Sequence, residues 1–289
     1  MTVSETRCVL MTGFDRSGTS AISRTLATHP TIELFMQPFN SGPLRKRLYE
    51  RLSPDSLTPE DLAFFQGLSD GHLIGDYIQS HWFFEHSTTQ QFVPGSTHIV
   101  KSTISHFHAN WLQESFPSIE VWGIWREPLE ILHSIFRNGF ETWYAESQQP
   151  IFKAIREVKS LSKHFRSFLD PQLSTLELVT LNFAARTYYF FSGLPRTHVI
   201  QFDSFCQDPN LCLSSFLNTY GLLPFDFRAA AAEDQNILGK RNLGDVSSVL
   251  DRDSGRVADM LLPVRELMRN RFGIDRNKTG SSHNRIASG

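Results

Sequence analysis

The chain is poor in cysteine, with only Cys8, Cys206 and Cys212 in 289 residues. An odd number without metal-ligand spacing excludes a disulfide scaffold and a zinc–cysteine site, and reads as free thiols in a reducing compartment. Neither charge dominates: 28 Lys and Arg stand against 30 Asp and Glu, a net charge of -2. Nothing in that balance calls for nucleic acid as a partner. No window approaches the ~18 apolar residues of a membrane span. The opening Met1-Thr-Val-Ser-Glu-Thr-Arg7 also lacks the apolar core of a signal peptide. A soluble, cytoplasmic protein without a transmembrane segment is expected. Gly/Ser-rich linkers and internal repeats are missing too, so 1–276 is expected to form one domain. Within it 39–95 reads as an irregular insertion and a possible acceptor-binding region, and 277–289 as a disordered polar tail. At 40% hydrophobic and 20% charged residues, such a domain can bury a sizeable core.

What the chain has is a glycine-punctuated turn between two patterned segments. Cys8-Val-Leu-Met11 is a short apolar run, and Ala21-Ile-Ser-Arg-Thr-Leu-Ala27 reads as a helix. Between them lies Gly13-Phe-Asp-Arg-Ser-Gly-Thr-Ser20. Strand, tight turn and helix together aim backbone N–H groups at an anion beside a helix N-terminus. The spacing Gly13-x4-Gly18 is that of a P-loop, but Thr19 stands where the phosphate-binding lysine belongs. The cation sits inside the loop instead, as Arg16.

Strands are expected at 7–12, 31–36, 97–103, 119–125 and 197–203. Helices are expected at 20–28, from 58, and at 106–116, 129–138, 152–169, 173–192 and from 208. This alternation predicts an α/β fold: a single P-loop-like domain with a parallel sheet and helices on both faces. Right-handed crossovers gather the strands' C-terminal ends on one edge. The loop after Thr12, Gln37, Lys101 and Arg126 meet there.

Two separated segments resemble those of the PAPS-dependent sulfotransferases. Gly13-Phe-Asp-Arg-Ser-Gly-Thr-Ser20 is similar to that family's 5′-phosphosulfate loop, in which an arginine or lysine precedes Ser-Gly-Thr. Ile124-Trp-Arg-Glu-Pro-Leu-Glu-Ile-Leu-His-Ser134 is similar to its 3′-phosphate motif, an arginine at a strand end and a serine eight residues later. The resemblance implies a sulfotransferase-type fold and 3′-phosphoadenosine 5′-phosphosulfate (PAPS) as donor, leaving PAP as product, with no metal. It implies that Gly13, Arg16, Ser17, Gly18, Thr19 and Ser20 hold the phosphosulfate, while Arg126 and Ser134 hold the 3′-phosphate. Gly239-Lys-Arg-Asn-Leu-Gly-Asp245 resembles the mobile loop on the cofactor's 3′ side, which adds Lys240 and Arg241. His29-Pro30, Lys101-Ser-Thr103 and Phe202-Asp-Ser-Phe-Cys-Gln-Asp-Pro209 are weaker similarities. The match spans about 7–222, and is closer in style to the carbohydrate and tyrosylprotein branch than to the cytosolic phenol and steroid branch.

Sulfuryl transfer to a hydroxyl is mostly positioning and charge stabilisation, as phosphoryl transfer is. By the resemblance, Arg16 and Lys101 act on the leaving phosphate. The acceptor proton also needs a base. Gln37, in Met36-Gln-Pro-Phe-Asn40, occupies the place of the glutamate of one branch, and Thr103 that of the histidine of the other. Gln37 is left as a substrate-binding residue. His106 is the preferred base, ahead of His108, Asp76, His81 and Glu33. Phe64, Phe65, Trp82, Phe83, Phe84 and Trp143 are candidates to line an acceptor cleft. The function expected is sulfuryl transfer to a carbohydrate, glycolipid or small metabolite. A non-catalytic PAPS-binding protein of the same fold and a P-loop kinase or NTPase remain alternatives. Acceptor identity and oligomeric state are not legible.

Overall fold

The computed structural model describes residues 7–38, 40, 44, 47–48, 57–73, 78, 80–105, 107–145, 148–233 and 254–274. His106, Asp76, Lys240, Arg241, the 277–289 tail and much of the 39–95 segment lie outside these.

The apolar residues of the first strand, β1 (Arg7–Thr12), alternate between two separate cores. Cys8 and Leu10 enter one, and Val9 and Met11 the other. A strand with both faces covered belongs in the middle of a sheet. β1 is in fact the central strand of five, flanked by β2 (Ile32–Met36), β3 (Thr97–Ser102), β4 (Ile119–Trp125) and β5 (Val199–Gln201) in the order β2-β3-β1-β4-β5. Every pairing is parallel.

The helices that follow β1 and its two neighbours set the position of the site. Helix α1 (Thr19–Leu26), after β1, packs Ala21, Ile22 and Leu26 into the Val9 core. Two further helices, α2 (Pro59–Ser69) and α3 (His81–His86), lie between β2 and β3. Helix α4 (Ala109–Ser115), after β3, and α5 (Pro128–Arg137), after β4, both pack into the Leu10 core. The chain therefore leaves β1 toward one face and leaves both neighbours toward the other. Crevices open where the chain direction switches in this way, and here one lies on each side of the C-terminal end of β1.

The stripe expected as one helix over 152–169 is divided. Helix α6 (Glu141–Ala145) comes first, then α7 (Gln148–Glu157), α8 (Lys159–Phe165) and a 3-10 turn, Arg166–Phe168. Val158 between α7 and α8 is extended, at φ -87° and ψ 111°. The apolar side chains still reach one core, because Ile151, Phe152, Ile155, Leu161 and Phe165 are all buried there. Helix α9 (Thr175–Gly193) starts from a reciprocal cap between Ser174 and Glu177 and runs through the same core. Phe202 and Asp203, expected at the end of a strand, instead begin α10 (Phe202–Gln207), followed by α11 (Pro209–Tyr220) and α12 (Arg228–Glu233). A long helix not foreseen, α13 (Ser254–Phe272), buries Val257, Met260, Leu261, Val264 and Met268 against α9. Among the described residues no helix is long and apolar enough to cross a membrane.

Candidate functional site

Both glycines of the β1–α1 loop are required by close approach. A Cβ on Gly13 would stand 2.7 Å from the Ile124 carbonyl oxygen and 2.7 Å from the Ser17 hydroxyl. One on Gly18 would stand 2.1 Å from the Phe202 ring, and φ at Gly18 is +94°. Arg16 is also left-handed, at φ 70°, a conformation that costs a non-glycine residue of order 1 kcal/mol or more and clusters at functional sites. Left-handed residues of this kind turn successive N–H groups to one side. Gly18 caps α1 without any side-chain hydrogen bond, so the first-turn N–H groups of Thr19 and Ser20 face the loop mouth uncapped. Among the described residues the buried Thr12 and Ser17 hydroxyls find no hydrogen-bond partner, an unusual state for buried polar atoms.

The β4–α5 segment meets this loop. Arg16 Nε donates to Ser134 Oγ at 3.0 Å, and its guanidinium lies 5.6 Å from the Phe140 ring centre. Arg126 Nη1 donates to the Arg16 carbonyl at 3.1 Å, while its Nε donates to Glu130 at 2.9 Å. The Arg126 guanidinium covers the Phe202 ring at 5.0 Å, the same ring that limits Gly18. Arg16, Arg126 and Ser134, distant in sequence, thus form one cluster. The pairing of Arg126 with Glu130 holds it at the crevice and neutralises part of its charge.

Lys101, at the end of β3, is 2% exposed, so it is not a solvated strand-end lysine. Burial is the main cause that pulls its pKa from 10.5 down to about 8; Asp15 opposes the shift, and Arg24 and Arg16 add to it. Its register partners are Met11 in β1 and Met36 in β2. The Gln37 N–H donates to the Lys101 carbonyl at 2.8 Å, which extends the β2–β3 pairing by one residue. Gln37 is left-handed, at φ 49°. Its Oε1 accepts from Asn40 Nδ2 at 2.8 Å.

The remaining candidates divide. His106, Asp76, Lys240 and Arg241 lie outside the described residues. His108 is fully buried at the start of α4. His81 stands at the start of α3 with its ring against Trp82, at 5.2 Å. Glu33 accepts from the Thr88 hydroxyl at 2.6 Å on the outer strand β2. Phe64, Phe65 and Phe83, offered as cleft-lining residues, are packed in the core instead, whereas Trp82, Phe84 and Trp143 are exposed. On α3 the cause is helical periodicity: Phe83 turns inward toward Phe35 while Trp82 and Phe84 turn out. Asp15, passed over in the sequence, lies in the loop itself and accepts from the Tyr144 hydroxyl at 2.8 Å. Its signal was available, because an acid in an anion-holding loop is out of place there.

No family model and no curated protein matches the chain. Solved structures do. A sulfotransferase from Alicyclobacillus acidocaldarius aligns over 95% of this chain and 99% of its own, with a TM-score of 0.51 and 15% identity. The chain has the sulfotransferase fold. A sulfotransferase from Mycobacterium tuberculosis H37Rv aligns over 88% of this chain and 78% of its own at 14% identity, with a TM-score of 0.41. The sulfotransferase domain from the curacin biosynthetic pathway aligns over 77% and 76% at 12% identity, with a TM-score of 0.39. Among the described residues, no group of three or more His, Cys, Asp or Glu side chains is arranged to hold a metal.

Proposed function

We propose that the chain is an enzyme that transfers a sulfuryl group from PAPS to a hydroxyl of a carbohydrate, glycolipid or small metabolite. The observation that carries this reading is the convergence of Arg16, Arg126 and Ser134 beside the uncapped N-terminus of α1. A 3′-phosphorylated adenosine carrying a 5′-phosphosulfate offers two anionic groups, and the cluster joins loop donors at Arg16 to strand-end and helix donors at Arg126 and Ser134. The residues fit such a donor on chemistry the structure displays: orphaned hydroxyls at Thr12 and Ser17, loop N–H groups without a cap, and two guanidinium groups.

In this reading the Gly18–Ser20 N–H groups, the Ser17 hydroxyl and Arg16 hold the 5′ end, while Arg126 and Ser134 take the 3′-phosphate. The bound donor supplies an electrophilic sulfur and a phosphate leaving group. Lys101, at the adjacent strand end, carries the positive charge that stabilises the leaving oxygen. The kinase reading loses ground because Thr19, in the place of a P-loop lysine, is 3% exposed and carries no charge toward a β/γ-phosphate.

One observation favours a second reading, non-catalytic PAPS binding. The Gln37 backbone pairs with that of Lys101 while its side-chain oxygen is engaged by Asn40, and an amide does not accept the acceptor's proton. Labelled PAPS offered with a panel of sugar, glycolipid and small-metabolite hydroxyls separates the two. Transfer by the wild type is expected. Transfer seen only in Gln37→Glu identifies the protein as a binding protein on an enzyme's fold.

A further inference from the structure

We propose that Asp15 is the general base that takes the proton from the acceptor hydroxyl. This inference rests on the sulfotransferase reading and supplies the group that reading lacks.

Three observations point to Asp15. The first is its place. It is the third residue of the loop after β1, two residues past Gly13, and β1 pairs with β3, whose Lys101 lies one residue before the strand's end. Its carboxylate is near enough to Lys101 to counteract the lysine's burial. The second is the way it is held. The Tyr144 hydroxyl donates to Oδ2 at 2.8 Å, and among the described residues no hydrogen bond engages Oδ1. Tyr144 is itself fixed: it is 3% exposed, its ring is stacked on Phe14 at 5.2 Å, and its carbonyl accepts from Asn182 of α9 at 3.4 Å. A buried phenol therefore aims a half-buried carboxylate and leaves one oxygen free to accept a proton. The third is the electrostatic cost. A carboxylate in a loop that cradles an anion weakens anion binding by like-charge repulsion, so donor binding does not explain it.

Three other acids are already committed, whereas Glu141, on α6 with Tyr144, keeps a buried Oε2 without a hydrogen bond among the described residues. Glu130 pairs with Arg126, Glu127 with Arg265, and Glu33 accepts from Thr88. His98 is wedged against Phe35 and Phe92, and burial pushes its pKa down to about 4, with Glu33 opposing the shift.

The step balances. The acceptor oxygen bonds to sulfur, and the bond from sulfur to the bridging oxygen breaks. That electron pair stays on the 5′-phosphate beside Lys101, and the hydroxyl proton passes to Oδ1 of Asp15. The proton then leaves to solvent as the product departs.

The test pairs PAP binding by calorimetry with single-turnover transfer from labelled PAPS, to acceptors and to water, for the wild type, Asp15→Asn and Tyr144→Phe. Asp15→Asn is expected to bind PAP as tightly as the wild type or several-fold tighter, and to transfer at least about 100-fold more slowly. Tyr144→Phe should keep PAP affinity and slow transfer by about 3- to 30-fold, since the base survives without its guide. A tenfold or greater loss of PAP affinity in Asp15→Asn overturns the proposal and makes Asp15 a brace for the loop. Undiminished transfer in that variant overturns it as well. A wild type that binds PAP yet transfers to nothing removes the base and keeps the donor site; one that ignores PAP removes the sulfotransferase reading itself.

Discussion

The proposed donor half and the proposed acceptor half of the site are built in different ways. The donor half is written in backbone: Gly13 and Gly18 admit no side chain, Arg16 is held left-handed, and Gly18 begins α1. Such constraints act over a few adjacent residues, so they leave a contiguous motif. The proposed acceptor half is assembled from side chains on separate elements: Gln37 beyond β2, Asp15 in the loop and Tyr144 on α6. No short spacing records their meeting. Anion binding is thus legible locally, whereas proton chemistry depends on tertiary contacts.

If the donor half really depends on backbone, the largest effect should follow from its smallest change. Gly18→Ala forces a Cβ into the Phe202 ring at a left-handed position. A loss of about 3 kcal/mol or more in unfolding free energy is expected. Denaturant titration measures it, and a wild-type midpoint would show that the loop yields easily.

Arg126→Ala removes a side-chain cation without touching the loop backbone. PAP affinity should fall by about 2–4 kcal/mol, while affinity for ADP, which has no 3′-phosphate, changes by less than about 1 kcal/mol. Equal losses for both nucleotides would move Arg126 from the 3′-phosphate to the general field of the site.

For Lys101, proposed to face the leaving oxygen between the two halves, the prediction reverses sign. Lys101 is buried with its pKa depressed to about 8, so the folded state carries the cost of its charge in full below pH 8. That cost is relieved as the pH rises from 8 toward 10.5. Lys101→Met should therefore stabilise the protein, by up to about 3 kcal/mol below pH 8 and by little above pH 10.5, while abolishing transfer. Stability curves at pH 7 and pH 10 check this, and destabilisation at pH 7 would contradict it.

The same contrast explains what the sequence revealed of the fold. Strands β1 and β4 were legible because each carries apolar residues for two cores. Arg126 and Ser134 were legible because a strand end and one helical face fix their spacing. The division at Val158 was not, because the apolar stripe continues through it. Helix α13 shows a regular stripe, Val257, Met260, Leu261, Val264 and Met268, but Pro263 interrupts its reading as a helix. Asp15 was legible as an acid out of place in its loop, but its contact with Tyr144, 129 residues away, was not.

Thermal unfolding with PAP or with ATP–Mg²⁺ tests the central claim most directly, because both ligands share the adenosine and differ in the 3′-phosphate and the triphosphate. PAP at saturating concentration should raise the midpoint by several degrees, and ATP–Mg²⁺ should leave it nearly unchanged. Stabilisation by ATP–Mg²⁺ without stabilisation by PAP would contradict the assignment of Arg16, Arg126 and Ser134 to a PAPS site.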